Sequence, residues 1–133
     1  RMVETDNIKD MYKFKTPALR NVSLTAPYGH NGAYPTLKSI IKHHLNPIKM
    51  NKNWKPEYAN LPNAPWLEKI DFVTFSDKRE QDRIISSIDI HPIELNENEI
   101  SQLVSFLESL TGRSRNQRPL GKPYKVPSGL SID

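Results

Sequence analysis

Between Tyr12 and Pro47 the backbone of this 133-residue chain is constrained in three ways at once. Thr16-Pro17 and Ala26-Pro27 push the residue before each proline out of helical geometry. Gly29 and Gly32, either side of His30 and Asn31, supply freedom for positive φ, so Thr25 to Ala33 reads as a loop able to aim its carbonyls inward. Pro35 and Pro47 then bracket an apolar run at helical spacing, with the Thr36 hydroxyl as N-cap. Leu37, Ile40, Ile41, His44 and Leu45 fall at i, i+3, i+4, i+7 and i+8. The spacing predicts a helix whose buried stripe includes the His44 imidazole, with His43 about 100° round the axis and free to face water.

The rest of the chain reads as support for that stretch. Residues 1–10 form a polar arm, and Tyr12 to Leu24 suits an extended segment lying across a protein surface. Residues 46–76 carry Pro47, Pro56, Pro62 and Pro65 with both tryptophans, and read as a loop insertion. Trp54 and Trp66 are expected to staple it by burying their rings, ahead of a binding role. Asp77 with Glu80 resembles a capping box before an amphipathic helix carrying Ile84, Ile85 and Ile88. The clearest helix has Asn96 as cap and Glu99 at the box position, then Ile100, Leu103, Val104, Leu107 and Leu110, widened by Phe106, with Gly112 as the stop. Residues 113–133 hold Pro119, Pro123 and Pro127 and read as an extended tail. The class is therefore all-α, with long irregular loops and one domain's worth of chain.

Composition excludes several chemistries. Without cysteine the chain has no disulfide, no zinc-thiolate site, no thiol nucleophile and no covalent c-type haem attachment of its own. A net charge of +4 permits an anionic partner, but the densest cluster, Arg113, Arg115 and Arg118, reads as solvated charge rather than a phosphate-binding strip, and no nucleic-acid partner is expected. No apolar run is long enough to span a membrane, and the start lacks the apolar core of a signal peptide. A chain opening on Arg1 reads as part of a longer one, so a targeting segment upstream stays open. No phosphate loop, serine elbow or HExxH is present, and His43-His44 diverge too far on a helix to share a zinc ion. His91 beside Pro92 reads as a turn residue. His30 is either a hydrogen-bonding loop anchor or a group that approaches a cofactor, and His44 either a satisfied core histidine or a metal ligand.

The motifs YKFKTPALRNVSLTAPYGHNG, TLKSIIKHH and LVSFLESLTG, in that order and spacing, resemble the C-terminal half of the bacterial di-haem cytochrome c peroxidase and MauG family. The resemblance covers about half the chain. It implies that residues 1–112 are the C-terminal part of a cytochrome c-like helical haem domain, the one that receives and relays electrons, while an N-terminal haem reacts with hydrogen peroxide. Family members take the distal axial ligand, Met or Tyr in familiar cases, from the helix fourteen residues after the loop histidine. Counting from His30, that position is His44. Imidazole in place of thioether implies bis-His iron, with the proximal histidine on an upstream CxxCH, and a lower reduction potential.

The same resemblance implies a calcium ion held partly by the carbonyls of Thr25 and Pro27, against an ordinary turn as the plain reading. It puts His30 near the haem or the domain interface, and makes Lys15 and Arg20 candidates for the haem propionates, against ordinary surface ion pairs. The cofactor implied is haem c, attached outside this chain, so no catalytic residue is expected in it. The partners implied are the remainder of the same protein with its CxxCH motifs, a small electron-donor cytochrome or cupredoxin, and a second copy in a homodimer. The compartment implied is the bacterial periplasm. A MauG-like enzyme oxidising a protein substrate and a cofactor-free interaction module are the alternatives.

Overall fold

The computed structural model describes residues 2–61 and 63–112; the expected tail, with its arginine cluster, lies outside them. Helix α1, Met2–Thr5, and a 3₁₀ turn at Ile8–Asp10 open the chain, so the arm has more local structure than its polarity suggested. Residues 13–19 belong to no helix or strand, and the stretch expected to be extended as far as Leu24 ends instead in a second 3₁₀ turn, Val22–Leu24. Helix α2 spans Leu37–Leu45, α3 Pro47–Asn53, α4 Val73–Ser76, α5 Lys78–Ser86 and α6 Glu97–Ser109. Among the described residues there is no named strand, and the fold is all-α.

The loop before α2 is closed by backbone pairing. Tyr28 and Tyr34 exchange both N–H···O bonds, at 2.7 and 3.0 Å, forming a single antiparallel bridge. Between them the chain turns through Gly29 (φ 78°), Asn31 (φ 55°) and Gly32 (φ 65°), conformations glycine and asparagine tolerate best. Both tyrosines are buried and form the core with Leu37, joined by Val22, Ile40, Met50, Trp54, Val104 and Leu107. Thr36 caps α2 in a full capping box with Ser39, a partner not foreseen. Asn96 and Glu99 make the expected box at α6.

Four expectations are corrected. Residues 46–76 are not all loop, because Pro47 starts α3: Asn46 ends α2 and its side chain caps the next helix through Lys49 N–H. Proline at the first helical position loses no hydrogen bond, so it breaks one helix and begins another. Trp54 is a staple, its indole N–H donating to Ala33 O at 2.9 Å and its ring facing Phe75 and Phe72, whereas Trp66 is 78% exposed. Asp77 caps α5, but Glu80 does not reach back; it accepts from the Tyr12 hydroxyl and pairs with Arg83. Gly112 is not the stop of α6, which ends at Ser109 without a left-handed glycine. Asn21, itself at φ 60°, closes that end instead: its N–H donates to Leu110 O and its Oδ1 accepts from Gly112 N–H at 2.7 Å.

Helices α2 and α6 are clipped by charge as well as by packing. The Lys38 and Lys42 ammoniums lie 2.8 and 2.6 Å from the two carboxylate oxygens of Glu97, in the first turn of α6. Lys38 and then Lys42 hold that carboxyl down, at about 2 against an ordinary 4.5. A depressed carboxylate adds stability above its unfolded pKa and loses it as pH falls through the folded one. Glu97→Gln is expected to give a shallower decline of the unfolding midpoint between about pH 4.5 and about pH 2, with a smaller difference in high salt because the pair is exposed. Equal acid sensitivity of both proteins would remove this clip from the account.

Gly32 is the tightest point of the loop. A Cβ there would stand 2.9 Å from Asn60 O and 2.9 Å from Pro27 Cγ, at a φ of 65°. Gly32→Ala is expected to lose at least ~1–2 kcal/mol from left-handed geometry alone. It should also release residue 60, whose N–H donates to Gly32 O, seen as faster amide exchange at Asn60.

Candidate functional site

The candidate residues lie on the Tyr28–Tyr34 loop, on α2 and on the extended strip before them. His30 is exposed and its ring packs on exposed Phe14, centroids 4.7 Å apart. Lys15 and Arg20 are exposed on the strip, with no ion pair to any described residue. The carbonyls of Thr25 and Pro27 accept no backbone N–H among the described residues, while the Thr25 hydroxyl donates to Val22 O. His91 is exposed, as expected.

The two histidines of α2 exchange the environments expected of them. His44 is exposed and His43 is the partly buried one. Around the helix axis position 44 still falls between Leu37 and Ile40, inside the apolar stripe. Periodicity sets the side of a helix but not how far its neighbours extend along it: Leu37 and Ile41 are buried, and full cover ends before the last turn. His43 turns the other way, its Nδ1 2.9 Å from the Tyr34 hydroxyl and its ring 5.0 Å from the tyrosine ring. Burial, and secondarily the neighbouring His44, lower the His43 pKa, so the ring is held neutral. Burial raises that of Tyr34, which stays a phenol.

A cavity of about 680 Å³ opens between the loop, α2 and the 54–75 segment, with His30 and His43 at its wall beside Trp54, Phe72 and Phe75. Nothing in the sequence announced it, because Tyr34 and His43 are nine residues apart, off any helical or strand period, and the aromatic wall comes from the insertion.

Among the described residues no three His, Asp or Glu side chains converge into a cage for a metal ion. A lone open imidazole set in an apolar stripe suits an iron whose other positions are filled by a porphyrin and an opposing ligand. A ligand to a group anchored on other polypeptide must also be open on the surface of this chain, and His44 is. An exposed imidazole of this kind is able to reach a haem carried on other polypeptide, and a chain without cysteine has no covalent haem anchor of its own. No described helix is long and apolar enough to cross a membrane.

No protein-family model and no solved structure matches the chain. Curated proteins do. The methylamine utilization protein MauG of Paracoccus denitrificans is 34% identical over 106 residues, 76% of this chain and 23% of that protein. Cytochrome c551 peroxidase of Nitrosomonas europaea is 26% identical over 94% of this chain and 28% of its own length. The cytochrome c peroxidase Ccp of Escherichia coli is 50% identical over 42 residues, 32% of this chain and 9% of its own length. The chain thus spans about a quarter of the length of the first two relatives. With helical architecture, a glycine loop ahead of a histidine helix, and relatives of one kind along most of its length, the chain belongs to the bacterial di-haem cytochrome c peroxidase and MauG family.

Proposed function

We propose that the chain is the distal-side part of the C-terminal, electron-transfer haem domain of a periplasmic di-haem cytochrome c peroxidase. That enzyme would reduce hydrogen peroxide with electrons from a small cytochrome or cupredoxin. The observation that carries the reading is the His44 imidazole, open within an apolar stripe and fourteen residues beyond His30. His44 would hold the sixth position of the iron. The haem, attached through CxxCH on the rest of the protein, would supply one-electron redox chemistry.

The chain's own part is placement. Thr36 and Ser39 fix the start of α2, Asn46 ends it, and Ile93 N–H donates to Leu45 O at 2.9 Å beside the ligand turn. Lys15 and Arg20, without carboxylate partners among the described residues, are available to haem propionates. The open carbonyls of Thr25 and Pro27 support a calcium ion at that turn, since hard cations take carbonyl oxygen. His30 is the loop's exposed ring at the domain interface in this reading.

Replacing thioether by imidazole lowers a haem potential. His44→Met in the haem-loaded full-length protein is therefore expected to raise one of two potentials by on the order of 100 mV, within the ~0.8 V that axial ligands span, at unchanged haem content. An unchanged redox titration would remove His44 from the iron.

The similarity to Paracoccus denitrificans MauG supports a second reading, a di-haem enzyme that oxidises a protein substrate. Peroxide given together with a reduced small cytochrome separates the two. Rapid cytochrome oxidation is expected of the peroxidase, and its absence favours the MauG-like enzyme.

A further inference from the structure

Two imidazoles stand side by side at the end of α2, ring centroids 5.6 Å apart, and only one is presented. The other is tied to the buried face. Tyr34 is 6% exposed, and its hydroxyl has one hydrogen-bond partner among the described residues, His43 Nδ1 at 2.9 Å. A buried phenol O–H needs an acceptor, so the tyrosine donates and Nδ1 accepts. The neutral ring then carries its own proton on Nε2, and neither nitrogen of His43 has a lone pair to give a metal. His44 has no hydrogen-bond partner among the described residues and keeps such a lone pair.

Tyr34 can hold that proton in place because it is itself fixed on both sides. Its backbone is paired to Tyr28, and the Gly29 backbone lies against its ring, where a Cβ would stand 3.2 Å from Cδ2. On the α2 side, two residues, His44 and Leu45, follow His43 before Asn46 breaks the helix. Adjacent helical residues differ by about 100°, so a rotation of that size in the last turn would exchange which ring is presented.

We propose that Tyr34 is a positioning residue: by donating to His43 Nδ1 it sets the rotation of the last turn of α2 and leaves His44 as the imidazole able to bind metal. This rests on the reading of His44 as axial ligand.

The test is ferric low-spin electron paramagnetic resonance, with redox titration, on the haem-loaded full-length protein. Wild type and His43→Gln are expected to share one signal from the His44-ligated haem. Tyr34→Phe, which keeps the ring and loses only the donor, is expected to add a second low-spin signal from His43 ligation. Tyr34→Phe with His43→Gln should lose that signal again, which a purely packing role for the hydroxyl would not produce. A Tyr34→Phe spectrum and titration identical to wild type, or a new signal that persists in the double variant, overturns the proposal. His44→Met in the same series keeps the two readings apart: if it changes nothing, the axial assignment falls and this inference with it; if it shifts the potential while Tyr34→Phe does not, only this inference falls. Should Tyr34→Phe fail to fold, imidazole ¹⁵N spectra of the reduced wild type decide. The Nε2–H tautomer at His43 is expected, and the Nδ1–H tautomer overturns the proposal.

Discussion

The paired N–H···O bonds between Tyr28 and Tyr34 are the constraint the remaining structure depends on. They close a five-residue turn whose left-handed positions only glycine and asparagine fill easily, and so bring two large rings into the core together. Two of the five buried hydrophobic side chains among the described residues are these tyrosines. The same bonds determine where Pro35 and Thr36 stand, hence where α2 begins and which of its faces meets Leu107 and Val104. The Tyr28 hydroxyl donates to Val22 O, and Trp54 donates to Ala33 O, so strip, loop and insertion are referred to one short segment.

Around that segment, contacts between distant parts of the chain are mostly polar and specific. Lys13 meets Asp89, Tyr12 meets Glu80, Ser23 meets Thr111, and Asn21 satisfies both ends of the α6 terminus. Hydrogen bonds of this kind replace bonds to water, and contribute least where they are exposed. They serve register more than stability. Phe14, Leu19, Leu24, Leu103 and Phe106 meanwhile stay exposed, apolar area that the described residues alone do not cover.

Local chemistry was legible in the sequence wherever one residue decides one bond. Thr36, Asp77 and Asn96 cap the helices they were expected to cap, and Gly29 and Gly32 take positive φ. What could not be read depends on partners far along the chain. Pro47 looks like a terminator until the Asn46 side chain turns it into a start, and Gly112 looks like a helix stop until Asn21 arrives from ninety-one residues away. Trp66 carries the same bulk as Trp54, but only Trp54 finds a carbonyl and two phenylalanine rings. At the site, fourteen-residue spacing and helical phase pick out the same histidine. Its exposure, and the burial of its neighbour against Tyr34, follow from where packing stops along α2, which periodicity does not encode.

Asn46 belongs to two helices: its N–H closes α2 on Lys42 O, and its side chain opens α3. A residue used twice makes a rigid elbow, in which bending one arm costs the hydrogen bond of the other. Displacement of the segment beyond α3 would therefore be transmitted to the turn bearing His44, so the placement of that imidazole is tied to a part of the chain that never touches it.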